Sequence, residues 1–155
     1  MCCESLKEAL DAKSKANCFS QSTVAEEKGK KFSFNNSVRK GICRVKVDNC
    51  LIENKNIPKC DYLFKVCEAE EKNSKYYFVE LKGVNVDHAV TQIIKTFEMV
   101  RSKLKQSPPE NYKGYVISSA VPSATEQKFR KLQDKCLKEH KLSITKRSNQ
   151  WVEKI

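Results

Sequence analysis

The sequence predicts a single mixed α/β domain, on three observations. From Gly41 onward, apolar and polar residues alternate through three short runs joined by polar turns, the pattern of an antiparallel meander. Val90, Ile93, Ile94, Phe97, Val100 and Leu104 then recur at i, i+3, i+4 and i+7, the clearest helical periodicity in the chain. A short apolar run over residues 114–121 follows and leads into a capped helix, so strands and helices interleave.

Taken in order, residues 4–15 read as a helix with Leu6, Ala9 and Leu10 as a narrow apolar stripe. Residues 14–40 form the least periodic stretch, rich in Ser, Asn, Lys and Glu, with Phe19, Val24, Phe32 and Phe34 as scattered anchors. Within it, Thr23-Val24-Ala25-Glu26 has capping-box spacing and predicts the start of a helical turn, and Asn35-Asn36-Ser37 predicts a reverse turn. Strands are expected over 42–52, 60–68 and 76–82, separated by a turn at 53–58 and a charged connection at 70–75. Asp87 is the expected N-cap of the amphipathic helix, and Ser107-Pro108-Pro109 ends it. The strand over 114–121 is apolar enough to be buried on both faces. Ser123-Ala124-Thr125-Glu126 is a second capping box, opening a helix to about His140, and a last strand over about 142–145 precedes Trp151. One domain over residues 1–155 results: an N-terminal helix and irregular segment to residue 40, then a core over 41–155. That core is a three-strand antiparallel meander followed by helix, strand, helix and strand.

At 155 residues the chain is long enough to bury a core without staples. Its 39% apolar and 32% charged residues are those of a globular protein. No apolar run approaches the roughly 20 residues of a membrane span, and the first residues lack the basic-then-apolar pattern of a signal peptide. A cytoplasmic location without membrane contact is the expectation. The eight cysteines include no Cys-x-x-Cys, and neither His88 nor His140 stands at zinc-finger spacing from a cysteine pair. Cys50, Cys60 and Cys67 fall in apolar strand patterns, so reduced structural thiols are expected. The net charge of +11 and pI near 9.3 favour a polyanionic partner, nucleic acid first.

The charged residues of the second and third strands stand out against their surroundings. Glu80 and Lys82 project from one face of a strand otherwise made of Tyr, Phe, Val and Leu. Asp61 opens the preceding strand, and in an antiparallel hairpin the start of one strand lies beside the end of the next. Two carboxylates converging in an apolar setting offer hard oxygen ligands suited to Mg²⁺ or Mn²⁺. Lys82 on the same face would orient a water or neutralise charge developing on a phosphate.

Ile57-Pro58-Lys59-Cys60-Asp61, followed by Phe78-Val79-Glu80-Leu81-Lys82-Gly83, resembles the signature of the PD-(D/E)xK nuclease superfamily. The resemblance covers residues 42–121, and the order helix, three-strand meander, helix, strand is similar to that group's core. It implies a restriction-endonuclease-like fold and an Mg²⁺-dependent endonuclease, a phosphodiester hydrolase acting on DNA in phage defence or DNA processing. It also implies Asp61, Glu80 and the main-chain carbonyl of Leu81 as metal ligands, with Asp61, Glu80 and Lys82 as the catalytic set. Pro58 stands three residues before Asp61 rather than adjacent to it. Many members add a glutamate from the first helix, for which Glu4, Glu8 and Glu26 are the candidates.

Around that set, Asp48 and Gln92 are candidate accessory residues, and Arg39, Lys40, Arg44 and Lys46 form the densest basic run, a candidate phosphate contact. His88 reads as a first-turn helix residue. Lys128, Arg130, Lys131, Lys135 and Lys138 read as a solvated helix face, and Tyr76 and Tyr77 as packing. DNA is the favoured partner over RNA, and so short a chain suggests a homodimer or a subunit of a larger complex. The alternative is a nucleic-acid-binding or assembly subunit that keeps the fold and has lost the chemistry.

Overall fold

The structure is a computed structural model that describes residues 2–81, 85–104, 107–119 and 123–155. Helix α1 (Cys2–Ala9) and a 3-10 turn (Lys13–Cys18) lead into β1 (Phe19–Ser20), β2 (Val24–Glu27) and β3 (Lys30–Asn35). Then come β4 (Ile42–Lys46), β5 (Tyr62–Val66), β6 (Lys75–Glu80), α2 (Val86–Lys103), β7 (Tyr112–Ser118), α3 (Ser123–His140), β8 (Ser143–Ser148) and β9 (Gln150–Lys154). The architecture is mixed α/β, with two sheets. The larger runs β1-β4-β5-β6-β7-β8 and the smaller β2-β3-β9.

Strands β4, β5 and β6 form the expected antiparallel meander, while β6, β7 and β8 are parallel. The change of direction follows from the connections. Short polar loops return the chain antiparallel, whereas α2 and α3 carry it across the sheet between parallel neighbours. Gly114 lets α2 approach β7, since a Cβ there would stand 2.9 Å from Ile93 Cγ2.

Alternation along each strand gives the large sheet two different faces. Leu63, Tyr76, Phe78, Val116 and Ile144 pack with α1, α2 and α3 on one side. Phe64, Tyr77, Val79, Tyr115 and Ile117 pack on the other, against Phe32 and Phe34 of the small sheet. There the rings meet edge-on or tilted, Phe34 with Phe64 at 5.1 Å and with Tyr77 at 5.0 Å.

The small sheet corrects the reading of residues 14–40. Where the capping-box spacing at Thr23 to Glu26 suggested a helical turn, Val24–Glu27 is a strand. Lys28 (φ 48°) and Gly29 (φ 80°) form a two-residue turn with both central residues at positive φ, the hairpin geometry that matches strand twist. Phe32 and Phe34 then point inward at period two. The chain end supplies β9, which pairs parallel with β3 and was not anticipated. Asn149 (φ 62°) makes the turn that separates β9 from β8. The N-cap of α2 is Asn85, whose side chain accepts from the His88 N–H at 3.1 Å, not Asp87.

The cysteines also depart from expectation. Cys2–Cys67, Cys3–Cys43 and Cys18–Cys50 are disulfides, and Cys60 and Cys136 are free and buried. All three bridges fasten the segment from α1 to the start of β1 onto the β4–β5 region. The partners lie 32 to 65 residues apart, so no local spacing announces them. Among the described residues, no helix is long and apolar enough to cross a membrane.

Candidate functional site

The site is built from the approach to β5 upward. The loop ending at Pro58-Lys59-Cys60 is held against α2 by two hydrogen bonds. Gln92 Nε2 donates to the Lys59 carbonyl and the Cys60 N–H donates to Thr96 Oγ1, both at 2.9 Å. Thr96 in turn donates to the Gln92 carbonyl at 2.9 Å, so its hydroxyl links helix and loop. The Thr96 contacts are buried, and together these bonds fix where β5 begins. Gln92, expected as an accessory residue, holds the loop that presents Asp61.

Asp61 is then clamped to the end of β6. Its N–H donates to the Val79 carbonyl at 3.1 Å, and its Oδ2 accepts from the Leu81 N–H at 2.8 Å. These two bonds bracket Glu80, one step past the ladder pair Tyr62↔Val79. Asp61 and Glu80 are thus brought together, as the antiparallel register requires. Both lie on the helix-facing side, in line with Leu63 and Phe78. The Leu81 N–H is committed to Asp61, which fixes the Glu80–Leu81 peptide unit. Lys82 lies outside the described residues.

Glu80 is fully buried. Cys60 reports the field around the pair: burial foremost pushes its thiol up, Thr96 pulls it down, and the charges of Glu80 and Asp61 push it up further. Cys60 therefore stays a neutral thiol and is no nucleophile.

A pocket of about 280 Å³ opens beside the pair, with Asp48, Pro58, Lys59, Asp61, His88 and Gln92 on its wall. Asp61 is the member of the pair that this pocket reaches. Lys59 Nζ stands 3.7 Å from Asp48 Oδ1 and donates to the Asn54 and Ile57 carbonyls at 3.0 and 3.1 Å. Asp48 is thus on the wall as a partner of Lys59, and His88 is an exposed first-turn residue of α2 at its rim.

The expected basic run does not gather here. Arg44 and Lys46 alternate with Val45 and Val47, whose side carries Asp61, and so lie on the opposite face. Arg44 donates to the Val24 carbonyl at 2.7 Å and lies over the Tyr62 ring, joining the two sheets. Arg39 and Lys40 precede β4, whereas Asp61 sits beyond its other end, and Lys40 pairs with Glu68 at 2.5 Å. Of the candidate first-helix glutamates, Glu26 is on β2, and Glu4 pairs with Lys7 at 2.9 Å on α1, as an exposed residue. Glu8 also lies on the exposed side of α1. Tyr76 and Tyr77 are buried, Tyr76 stacked on Tyr112 at 5.0 Å.

Two lysines were missed. Lys59 stands beside Asp61 in the sequence but carries no periodic signal. Lys146 continues the inward alternation of Ile144 on β8, beyond the end of the strand expected over about 142–145. Register places Glu80 beside Val116 and Val116 beside Lys146, making one row across the helix-facing side. Lys146 is nearly buried in that row and pairs with Glu126 of α3.

Among the described residues no group of three or more His, Cys, Asp or Glu is placed to hold a metal. The hard-oxygen pair Asp61 and Glu80 is what could do so. Two protein carboxylates suit Mg²⁺, which keeps several waters and takes the rest of its shell from a phosphate. The chain matches no family model, no curated protein and no solved structure.

Proposed function

We propose that the protein is a metal-dependent nuclease that hydrolyses phosphodiester bonds of DNA, in phage defence or DNA processing. The observation that carries the reading is the clamping of Asp61 to both sides of Glu80 at the mouth of a pocket. The order of α1, the β4–β6 meander, α2 and β7 supports the resemblance to the PD-(D/E)xK superfamily and its restriction-endonuclease-like core. In this reading Asp61, Glu80 and the Leu81 carbonyl hold Mg²⁺ or Mn²⁺. When bound, that ion supplies Lewis-acid polarisation of the phosphate and a more acidic water. The chain's own part is positional: Thr96 and Gln92 fix the loop, Asp61 fixes the Glu80–Leu81 peptide, and Lys82 is the proposed group that orients the attacking water. DNA is favoured over RNA, and a homodimer or larger complex would supply specificity.

One observation favours a second reading, a binding or assembly subunit without chemistry. Glu80 has no exposed surface, and the pocket reaches only Asp61. As to compartment, three disulfides favour oxidising surroundings over the cytoplasm first expected.

The test is incubation of the purified protein with duplex, branched and single-stranded DNA and with RNA, with and without Mg²⁺. Cleavage of DNA that EDTA stops is the expected result. Cleavage that persists in EDTA would sink the nuclease reading. No cleavage, together with no Mg²⁺ or Mn²⁺ binding by calorimetry, would leave the binding subunit.

A further inference from the structure

Helix α3 packs on the sheet through Phe129 and Cys136, with Gln133 Nε2 donating to the Ile144 carbonyl at 2.6 Å. Those residues set its inner face. Lys128, Lys131, Lys135 and Lys138 follow at i, i+3, i+7 and i+10, so they share one flank and are all exposed. The row is about 15 Å long at 1.5 Å per residue. Arg130 lies on the other flank, while Asp134 and Glu139 border the lysine row on either side.

The row has a direction. Its first member, Lys128, pairs with Asp87 at 2.5 Å, in the first turn of α2. The next residue of α2, His88, stands at the rim of the Asp61 pocket, and Gln92 one turn on lines its wall. Lys128 thus ties the near end of the row to the helix that walls the candidate site. Among the described residues, Lys131, Lys135 and Lys138 make no ion pair. Exposed lysines three and four apart and outside any ion pair repel one another, and a polyanion relieves that repulsion.

We infer that this row is a track for a nucleic-acid backbone, along which Lys131, Lys135 and Lys138 each contact a phosphate and lead the strand to the Asp61 pocket. The inference rests on the nuclease reading and adds to it the face by which substrate is held. The contacts are to phosphate only, so they hold duplexes of any sequence equally. They also bring a salt dependence, a slope of log affinity against log salt of about −0.9 per phosphate.

The experiment is fluorescence anisotropy of a short labelled duplex with the full chain in EDTA, where no cleavage interferes, across a salt series. The variants are Lys131→Glu/Lys135→Glu/Lys138→Glu, the same triple to alanine, and an equal charge change elsewhere, Lys28→Glu/Lys30→Glu/Lys154→Glu. The alanine triple is expected to bind on the order of tenfold more weakly than wild type, with a salt slope shallower by about 3. The glutamate triple should bind more weakly still, and the control within about twofold of wild type. All substituted side chains of the row are exposed, and circular dichroism checks that the variants fold. Equal weakening by the control would overturn the track in favour of overall charge, and unchanged binding by the alanine triple would overturn it outright. Unchanged binding with metal-dependent cutting intact removes the track alone. A wild-type chain that neither binds nor cuts DNA removes the nuclease reading with it.

Discussion

Glu153 and Glu80 are both carboxylates withdrawn from solvent on strands, yet their surroundings differ in kind. Glu153, on β9, faces the aromatic layer between the two sheets. Its Oε1 accepts from Tyr115 OH at 2.8 Å and from Trp151 Nε1 at 3.0 Å. Donors surround it, so burial of the charge is compensated locally. Glu80, on β6, shares the helix-facing side with Asp61, another carboxylate, and the charges of both act on the neutral Cys60. A second acid is a poor neighbour for a structural carboxylate and a good one for a divalent cation. The contrast separates a buried acid that serves the fold from one that is a candidate for chemistry.

The sharpest way to break that contrast is Glu80→Gln. Loss of metal-dependent cleavage on the order of 10³-fold is expected, since several kcal/mol of barrier lowering depends on a metal ligand. Stability should change little, because glutamine keeps the size and shape of the side chain. Cleavage rates together with urea unfolding decide it. If Glu80→Gln unfolds the protein readily and cuts at the wild-type rate, Glu80 is structural and the contrast fails.

Reduction tests a different pair of regions, the stapled N-terminal segment and the rest. A disulfide contributes about 2–4 kcal/mol by restricting the unfolded chain. Dithiothreitol is therefore expected to lower the unfolding midpoint, with α1 the first element to lose amide protection in hydrogen exchange. The Asp61–Glu80 clamp lies on β5 and β6 and involves no disulfide, so cleavage under mildly reducing, native conditions should persist. Loss of cleavage before α1 opens would show that the staples organise the site.

How far the sequence could reach follows from the kind of signal each feature leaves. The pairing of Asp61 with Glu80 was legible because a short antiparallel connection dictates which strand ends meet. The helix of Val90 to Val100 was legible because its periodicity runs for about three turns. Glu153 was not, because its buried partner Tyr115 stands on β7 and the strand that carries Glu153 is placed by a parallel pairing across more than 100 residues, β3 with β9. The disulfides failed for the same reason, and Arg44 failed because a strand's two faces look alike until the register of its neighbours is known.

The companion substitution, Glu153→Gln, is expected to destabilise the protein by about 1–3 kcal/mol, the loss of a charged acceptor facing one buried and one part-buried donor. Cleavage should not change, because the residue faces the aromatic layer and not the pocket. A cleavage defect equal to that of Glu80→Gln, in protein shown to be folded, would erase the distinction between the two acids.

The smallest effect reads the two glutamates through their neighbours. Tyr77 is pushed up to about 12, by burial first and then by the charges of Glu153 and Glu68. Tyr115 is raised by burial first and then by its bond to Glu153. A tyrosine with a raised folded-state pKa keeps its full contribution below its ordinary value near 10. Above that, the unfolded chain ionises first and stability declines as pH rises toward the folded value. Unfolding free energy should therefore be level to about pH 10 and fall through about pH 12, with tyrosinate absorbance appearing as structure is lost. Glu153→Gln takes away a negative neighbour from Tyr77 and Tyr115, bringing both nearer their ordinary value and making the decline shallower. Glu80→Gln leaves those neighbours alone and should keep the wild-type slope. A shallower slope in Glu80→Gln and an unchanged one in Glu153→Gln would mean that the fields of the two acids have been assigned the wrong way round.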